Sequence, residues 1–273
     1  MCRKLAFAAT FLALALPAAS WAAAPAPASA ASPGPPAAAP RTPVKATAEE
    51  RRVAERMDPL ARANFWGQQV QIDPRDAEAG VKLASALRAI GQNDQAADAA
   101  QQVILLYPDN VEAMLEFGRA RIASGQAFYS IDALRQAQIL APSDWRAASL
   151  LGVAYEQVQR ADDAVASYQK ALTLSPNNPA VLSNLAMFHA TRGQLGESER
   201  LLRIAVAQPG ATVQIRQNLA LVLGLQGKLS EAERLVREDL PPELANNNIA
   251  YLQAMAAAQA QGAAPALPTP QGG

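Results

Sequence analysis

His189 and Cys2 supply all the imidazole and thiol chemistry of this 273-residue chain. Catalysis by a thiolate or a metal-bound water needs such groups in sets: a base beside the nucleophile, or several ligands converging. One of each makes no set, and Cys2 stands at the extreme N-terminus. The chain has no GxxxxGK[ST] phosphate loop, no GxSxG elbow and no HExxH pair. The acidic neighbours Asp162–Asp163 and Glu49–Glu50 suit solvated helix surfaces, as charge runs usually do. His189 therefore reads as a packing residue. The sequence implies a chain that is not an enzyme, takes no cofactor and holds no metal. Lysine plus arginine and aspartate plus glutamate both number 24. That balance does not suggest the basic face a nucleic-acid binder needs, and it leaves room for a local patch.

The elements that would carry any function are helical. Half of the residues are apolar but only 5% are aromatic, and the abundant alanine favours helix while strands favour aromatic and β-branched residues. The first stretch reads as a targeting segment: Arg3 and Lys4, an apolar run from Leu5 to Leu16, then Pro17 and a small-x-small site at Ser20 and Ala22. Cleavage after Ala22 is expected, with a retained anchor as the alternative. Cys2 precedes the apolar run, so it is not placed as a lipoprotein cysteine and no direct lipid anchor is evident. Residues 23–47 form a Pro/Ala-rich linker, and 261–273 form a similar tail.

Between these lies a repeat. The phrases DPRD, YPDN, APSD and SPNN place Pro74, Pro108, Pro142 and Pro176 at a constant step of 34 residues. Five blocks follow, starting at Ala77, Val111, Trp145, Pro179 and Val213. Their seventh position holds Leu83, Phe117, Leu151, Leu185 and Leu219. The eighth is small (Ala84, Gly118, Gly152, Ala186, Ala220), and so is the twentieth (Ala96, Ser130, Ala164, Ser198, Ala232). Each block predicts two helices joined by a turn at Gly91, Gly125, Gly193 or Gly227, with the proline ending the second. Small residues at the eighth and twentieth positions would let the pair pack closely. His189 takes the eleventh position, where other blocks carry Leu87, Tyr155 and Leu223, a place between helices.

This pattern resembles the tetratricopeptide repeat family, most closely over Trp145, Leu151, Gly152, Tyr155, Ala164, Tyr168, Ala171 and Pro176. The resemblance implies an all-α superhelical solenoid of antiparallel helix pairs. Residues 77–246 would hold five repeats. Residues 48–76 would form a degenerate capping repeat, with helices over 48–57 and 60–72. Residues 247–260 would form a closing helix, and the Ala-rich end is a candidate surface for self-association. The block from Val213 should break at Asp239–Pro242.

In the family, the first helices line a concave groove for protein partners. By register, that lining comprises Glu78, Val81 and Ser85 in the first block and Glu112, Leu115 and Arg119 in the second. It continues through Ser149, then Ser183, Asn184 and Met187, then Gln217, Asn218 and Leu221. Asn184 and Asn218 share the sixth position, where a family asparagine can bond a peptide backbone; the residue is also simply common there. The lysine clamp that some members use for a carboxylate terminus is not evident.

One stretch narrows the resemblance. QIRQNLALVLGLQGKLSEAERLVREDLPPELANNNIAYLQAM, from Gln214 to Met255, resembles the C-terminal repeat of TadD-type proteins of the Flp (tight adherence) pilus assembly system. Asn218, Leu219, Ala220, Gly227, Glu231, Ala232, Leu240, Pro241, Asn248 and Tyr251 carry that likeness. It implies a periplasmic assembly factor whose partners are secretin or other pilus subunits. Such proteins are often lipoproteins, and this chain departs from them in lacking the lipid-bearing cysteine. A general periplasmic adaptor for another secretion, polysaccharide-export or envelope complex is the alternative.

Overall fold

A computed structural model describes residues 44–260. The expected leader with Cys2, the linker up to residue 43 and the tail from 261 lie outside the described residues. Among the described residues there are thirteen α-helices, one 3₁₀ turn and no strand. None of these helices is long and apolar enough to cross a membrane. Helices α1 (Ala48–Ala54) and α2 (Pro59–Ile72) form an opening unit. Five pairs follow: α3 (Ala77–Ala89) with α4 (Asn93–Leu106), α5 (Val111–Ala123) with α6 (Ile131–Leu140), α7 (Trp145–Gln157) with α8 (Ala161–Leu174), α9 (Pro179–Thr191) with α10 (Leu195–Val206), and α11 (Val213–Leu225) with α12 (Leu229–Asp239). Helix α13 (Pro242–Ala260) closes the stack.

Every first helix starts on the residue that opens its block, because the residue before it is a cap. Asp76, Asn110, Asp144, Asn178 and Thr212 each accept a bond from a backbone N–H of the first turn. Those N–H groups have no intrahelical acceptor, so a side-chain oxygen fixes where the helix begins. The second helices have no side-chain cap. They depend on the turn before them. The N–H groups of Gln92, Gln126, Arg160, Gln194 and Lys228 donate to the carbonyl oxygens of Leu87, Arg121, Tyr155, His189 and Leu223 at 2.8–3.0 Å. The residue ahead of each donor is left-handed, the helix ending that glycine favours. Four of the five are glycine; the third repeat has Gln159 at φ 60° instead.

The two helices of a pair touch through the eighth position. A Cβ on Gly118 would lie 2.5 Å from Cδ2 of Leu134, and one on Gly152 would lie 2.5 Å from Cε1 of Tyr168. Leu134 and Tyr168 are both fully buried. All five residues at the twentieth position are also fully buried. Trp145 is half-buried at the start of α7, and the family spacing W-x-x-L-G falls instead on the buried Ala148. The tryptophan thus packs at a helix start and does not fill the family's aromatic place.

Three places depart from the regular pattern. Residues 44–47, expected in the linker, are extended chain tied to the opening unit: the Ala46 N–H donates to Oε1 of the buried Gln69 at 2.7 Å. Lys45 pairs with Asp73 and Asp76 at 3.1 Å. The first turn of the second helix in repeat two is a 3₁₀ turn, Ala127–Ser130. Finally, α13 begins at Pro242, ahead of residue 247, because the fixed φ of proline suits a first helical position. It buries Ala245, Ile249, Leu252 and Met255.

Two glycine exchanges test this geometry with opposite signs. Gly152→Ala should lower unfolding free energy by about 1–3 kcal/mol, because the methyl group must displace a buried ring. Gln159→Gly should raise it by roughly 0.5–1 kcal/mol, by relieving a left-handed side chain. Urea titrations measure both; unchanged midpoints would mean the ring and the turn can relax.

Candidate functional site: the face of the first helices

Successive first helices touch each other: α3 meets α5, α5 meets α7, α7 meets α9, α9 meets α11 and α11 meets α13. The backbones of successive second helices stand further apart, and α10 reaches α12 through long side chains, Arg203 pairing with Glu231 at 2.8 Å. The first helices therefore form the inner row of the stack, and their outward-facing side chains make one continuous surface.

The expected lining residues divide on this surface. Glu78 is exposed and pairs with Arg51 at 2.7 Å; Val81 and Ser85 are half-buried beside it. Glu112 is exposed and accepts hydrogen bonds from the two terminal guanidinium nitrogens of Arg146, at 2.5 and 3.0 Å. Leu115 is a correction: it is fully buried, because the neighbouring first helices cover the fifth position. Ser149 and Ser183 occupy the same position and are buried too. They face the groove only through their partners. Asn184 donates its Nδ2 to Ser149 Oγ at 3.3 Å, and Asn218 donates to Ser183 Oγ at 3.0 Å. The two asparagines thus stitch each first helix to the one before it. A primary amide has two N–H donors, so each keeps a second for a ligand. Met187, Gln217 and Leu221 lie half-buried around them, and Gln214 donates to Asn218 Oδ1 at 3.1 Å.

Sequence reasoning named Glu78, Glu112 and Arg119 but missed the acidic residues set deeper between them. Glu116 is buried and bridges Arg88, at 3.2 Å, and Arg119, at 2.6 Å. Its signal was its place: Glu116 holds the same sixth position as Asn184 and Asn218. Glu156, one repeat further on, accepts from Thr191 at 3.3 Å and Tyr168 at 3.4 Å. Burial pushes Glu156 up from the usual carboxylate range, against the bond from Thr191 and the charge of Arg192. Burial likewise pushes the Tyr168 hydroxyl well up. At the other end, hydrogen bonds from Arg51 hold Asp76 well below the usual range.

His189 faces the start of α10, the second helix of its own repeat. It is half-buried, bonds Gln194 through Nδ1, and lies edge-on to Phe188 at 5.6 Å. Tyr155 and Leu223, at the same position of other repeats, are buried. The surface as a whole can bind by hydrogen bonds and apolar contact. Its first two repeats close their charges on one another, and its fourth and fifth offer amides, a thioether and leucine.

Known proteins share this geometry. Tetratricopeptide repeat family profiles match residues 81–127, 115–179 and 157–214. Residues 81–214 carry tetratricopeptide repeats. Among solved structures, a thermophilic tetratricopeptide-repeat protein of Thermus thermophilus superposes with a TM-score of 0.60 at 20% identity. The match covers 65% of this chain and 99% of that one. The APC/C hetero-tetramer Cut9–Hcn1 gives a TM-score of 0.62 at 15% identity, covering 78% of this chain and 42% of that chain. At these identities the likeness is one of fold. No curated protein sequence matches. Tetratricopeptide repeats generally serve as non-catalytic scaffolds for protein–protein interaction.

The Glu116 bridge gives a test. Glu116→Gln leaves two guanidinium groups sharing a neutral amide and should destabilise the stack by about 1–3 kcal/mol. Glu112→Gln, at an exposed pair, should change stability by less than about 1 kcal/mol. Chemical denaturation distinguishes them, and equal effects would mean the buried bridge is no tighter than the surface one.

Proposed function

We propose that this chain is a periplasmic scaffold that holds a protein segment on the first-helix face of repeats four and five. In this reading it is a TadD-like assembly factor for the Flp (tight adherence) pilus and its secretin. The observation that carries the binding half is the division of the face. Charges near Glu112 and Glu116 are answered within the chain, so they offer little to a charged ligand. Met187, Leu221 and the second amide hydrogens of Asn184 and Asn218 suit a neutral helix or extended segment. The leader-like stretch from Arg3 to Ala22 supports export. The likeness of Gln214–Met255 to the TadD-type C-terminal repeat supports the pilus assignment. That stretch folds as α11, α12 and α13, the end of the stack that adjoins the neutral surface.

Affinity capture from the native envelope tests both halves. Secretin and pilus-platform subunits should co-purify with the wild-type chain. Met187→Gln/Leu221→Gln should lower their recovery by about tenfold or more, with the helix content measured by circular dichroism unchanged. Recovery of other envelope complexes without any pilus component would reduce the reading to a general periplasmic adaptor. Undiminished recovery by the double variant would place the binding surface elsewhere.

A further inference from the structure

Repeat two differs from the other four at the start of its second helix. Its eighteenth and nineteenth positions are Phe128 and Tyr129; the other repeats have Asp94–Gln95, Asp162–Asp163, Gly196–Glu197 and Ser230–Glu231. The two rings sit on the 3₁₀ turn, 69% and 67% exposed, edge-on to each other at 5.7 Å. They belong to the second-helix row, so the first-helix face makes no use of them.

Four other rings of the protein carry a guanidinium of their own. Arg51 lies over Trp66, Arg121 over Phe117, Arg192 over Phe188, and both Arg135 and Arg160 over Tyr155. Among the described residues no guanidinium covers Phe128 or Tyr129. Guanidinium groups favour aromatic faces through the ring quadrupole and through stacking.

The charges beside the pair favour the same ligand. Gln126 donates to Asp94 at 3.3 Å, which brings Asp94 next to the turn, and Arg121 holds Asp94 and Asp98 at 3.6 Å. Asp132 stands one helical turn beyond the two rings. The side chains of Asp94, Asp98 and Asp132 are 69%, 74% and 99% exposed, whereas Arg121 is 19% exposed. Arg135 donates its Nε to the Tyr155 hydroxyl at 2.9 Å. A ligand approaching the rings thus meets three exposed carboxylates; the largely covered Arg121 reaches two of them, and the half-exposed Arg135 lies 4.0 Å from Asp132.

We propose that Phe128 and Tyr129, with Asp94, Asp98 and Asp132 beside them, form a second docking site, for an arginine-bearing segment of a partner protein. The aromatic pair stacks the guanidinium groups, and the carboxylates supply charge-assisted bonds. This site is independent of the first-helix face.

A fluorescein-labelled nine-arginine peptide, titrated into the full chain and read by anisotropy, tests the proposal. The wild type should bind it, and a nine-lysine peptide several-fold more weakly, since lysine stacks poorly. Phe128→Ala/Tyr129→Ala should weaken arginine-peptide binding by about tenfold with an unchanged melting temperature. Asp132→Asn should weaken it about threefold, mainly at low ionic strength. Absence of binding, or equal binding by the double alanine variant, would overturn the proposal. So would ring-dependent binding to phosphatidylcholine vesicles, or ring-dependent dimerisation in sedimentation, since either would give the rings a different occupant.

Discussion

The stack rests on one contact, the approach of each second helix to the eighth position of the first. Where that position is glycine, a leucine or tyrosine sits against bare backbone; where it is alanine, one methyl group intervenes. Any larger side chain would separate the pair and uncover the apolar stripes that both helices turn inward. An isolated pair still leaves its outer stripe in water, so each repeat is completed by its neighbour. The step of 34 residues follows from this. It is the length of two helices of the required span, a left-handed turn and a proline-bearing return.

Much of that was legible in the sequence because it is local. A cap residue acts on N–H groups two or three residues away, a turn glycine on its own φ, and a proline on the residue before it. The caps at Asp76, Asn110, Asp144, Asn178 and Thr212 place the first helices residue by residue. Gln159 shows the limit of such reading. The repeat geometry imposes a left-handed turn on a residue that would not choose it, and only the positions of its neighbours give it away.

The binding face was harder to read, because its contacts join residues on different repeats. Asn218 meets Ser183, and Glu116 meets Arg88, through the offset between adjacent first helices, which no single block contains. The same offset explains why Val81 remains half-exposed while Leu115, its equivalent one repeat later, is fully buried. Position in the block identifies the candidates. Whether a side chain faces solvent or a neighbour depends on how many repeats flank it.

The inner row of helices packs closely while the outer row is spaced and bridged only by long side chains such as Arg203 to Glu231, and this has a mechanical consequence. A line of mutual contacts along one side acts as a hinge line. The stack can curl or straighten by varying the gaps between second helices while the contacts between first helices persist. Changes of curvature then break few bonds, and the surface can match its radius to whatever lies along it. The compliance of the whole arises between rigid pairs, with no single flexible joint.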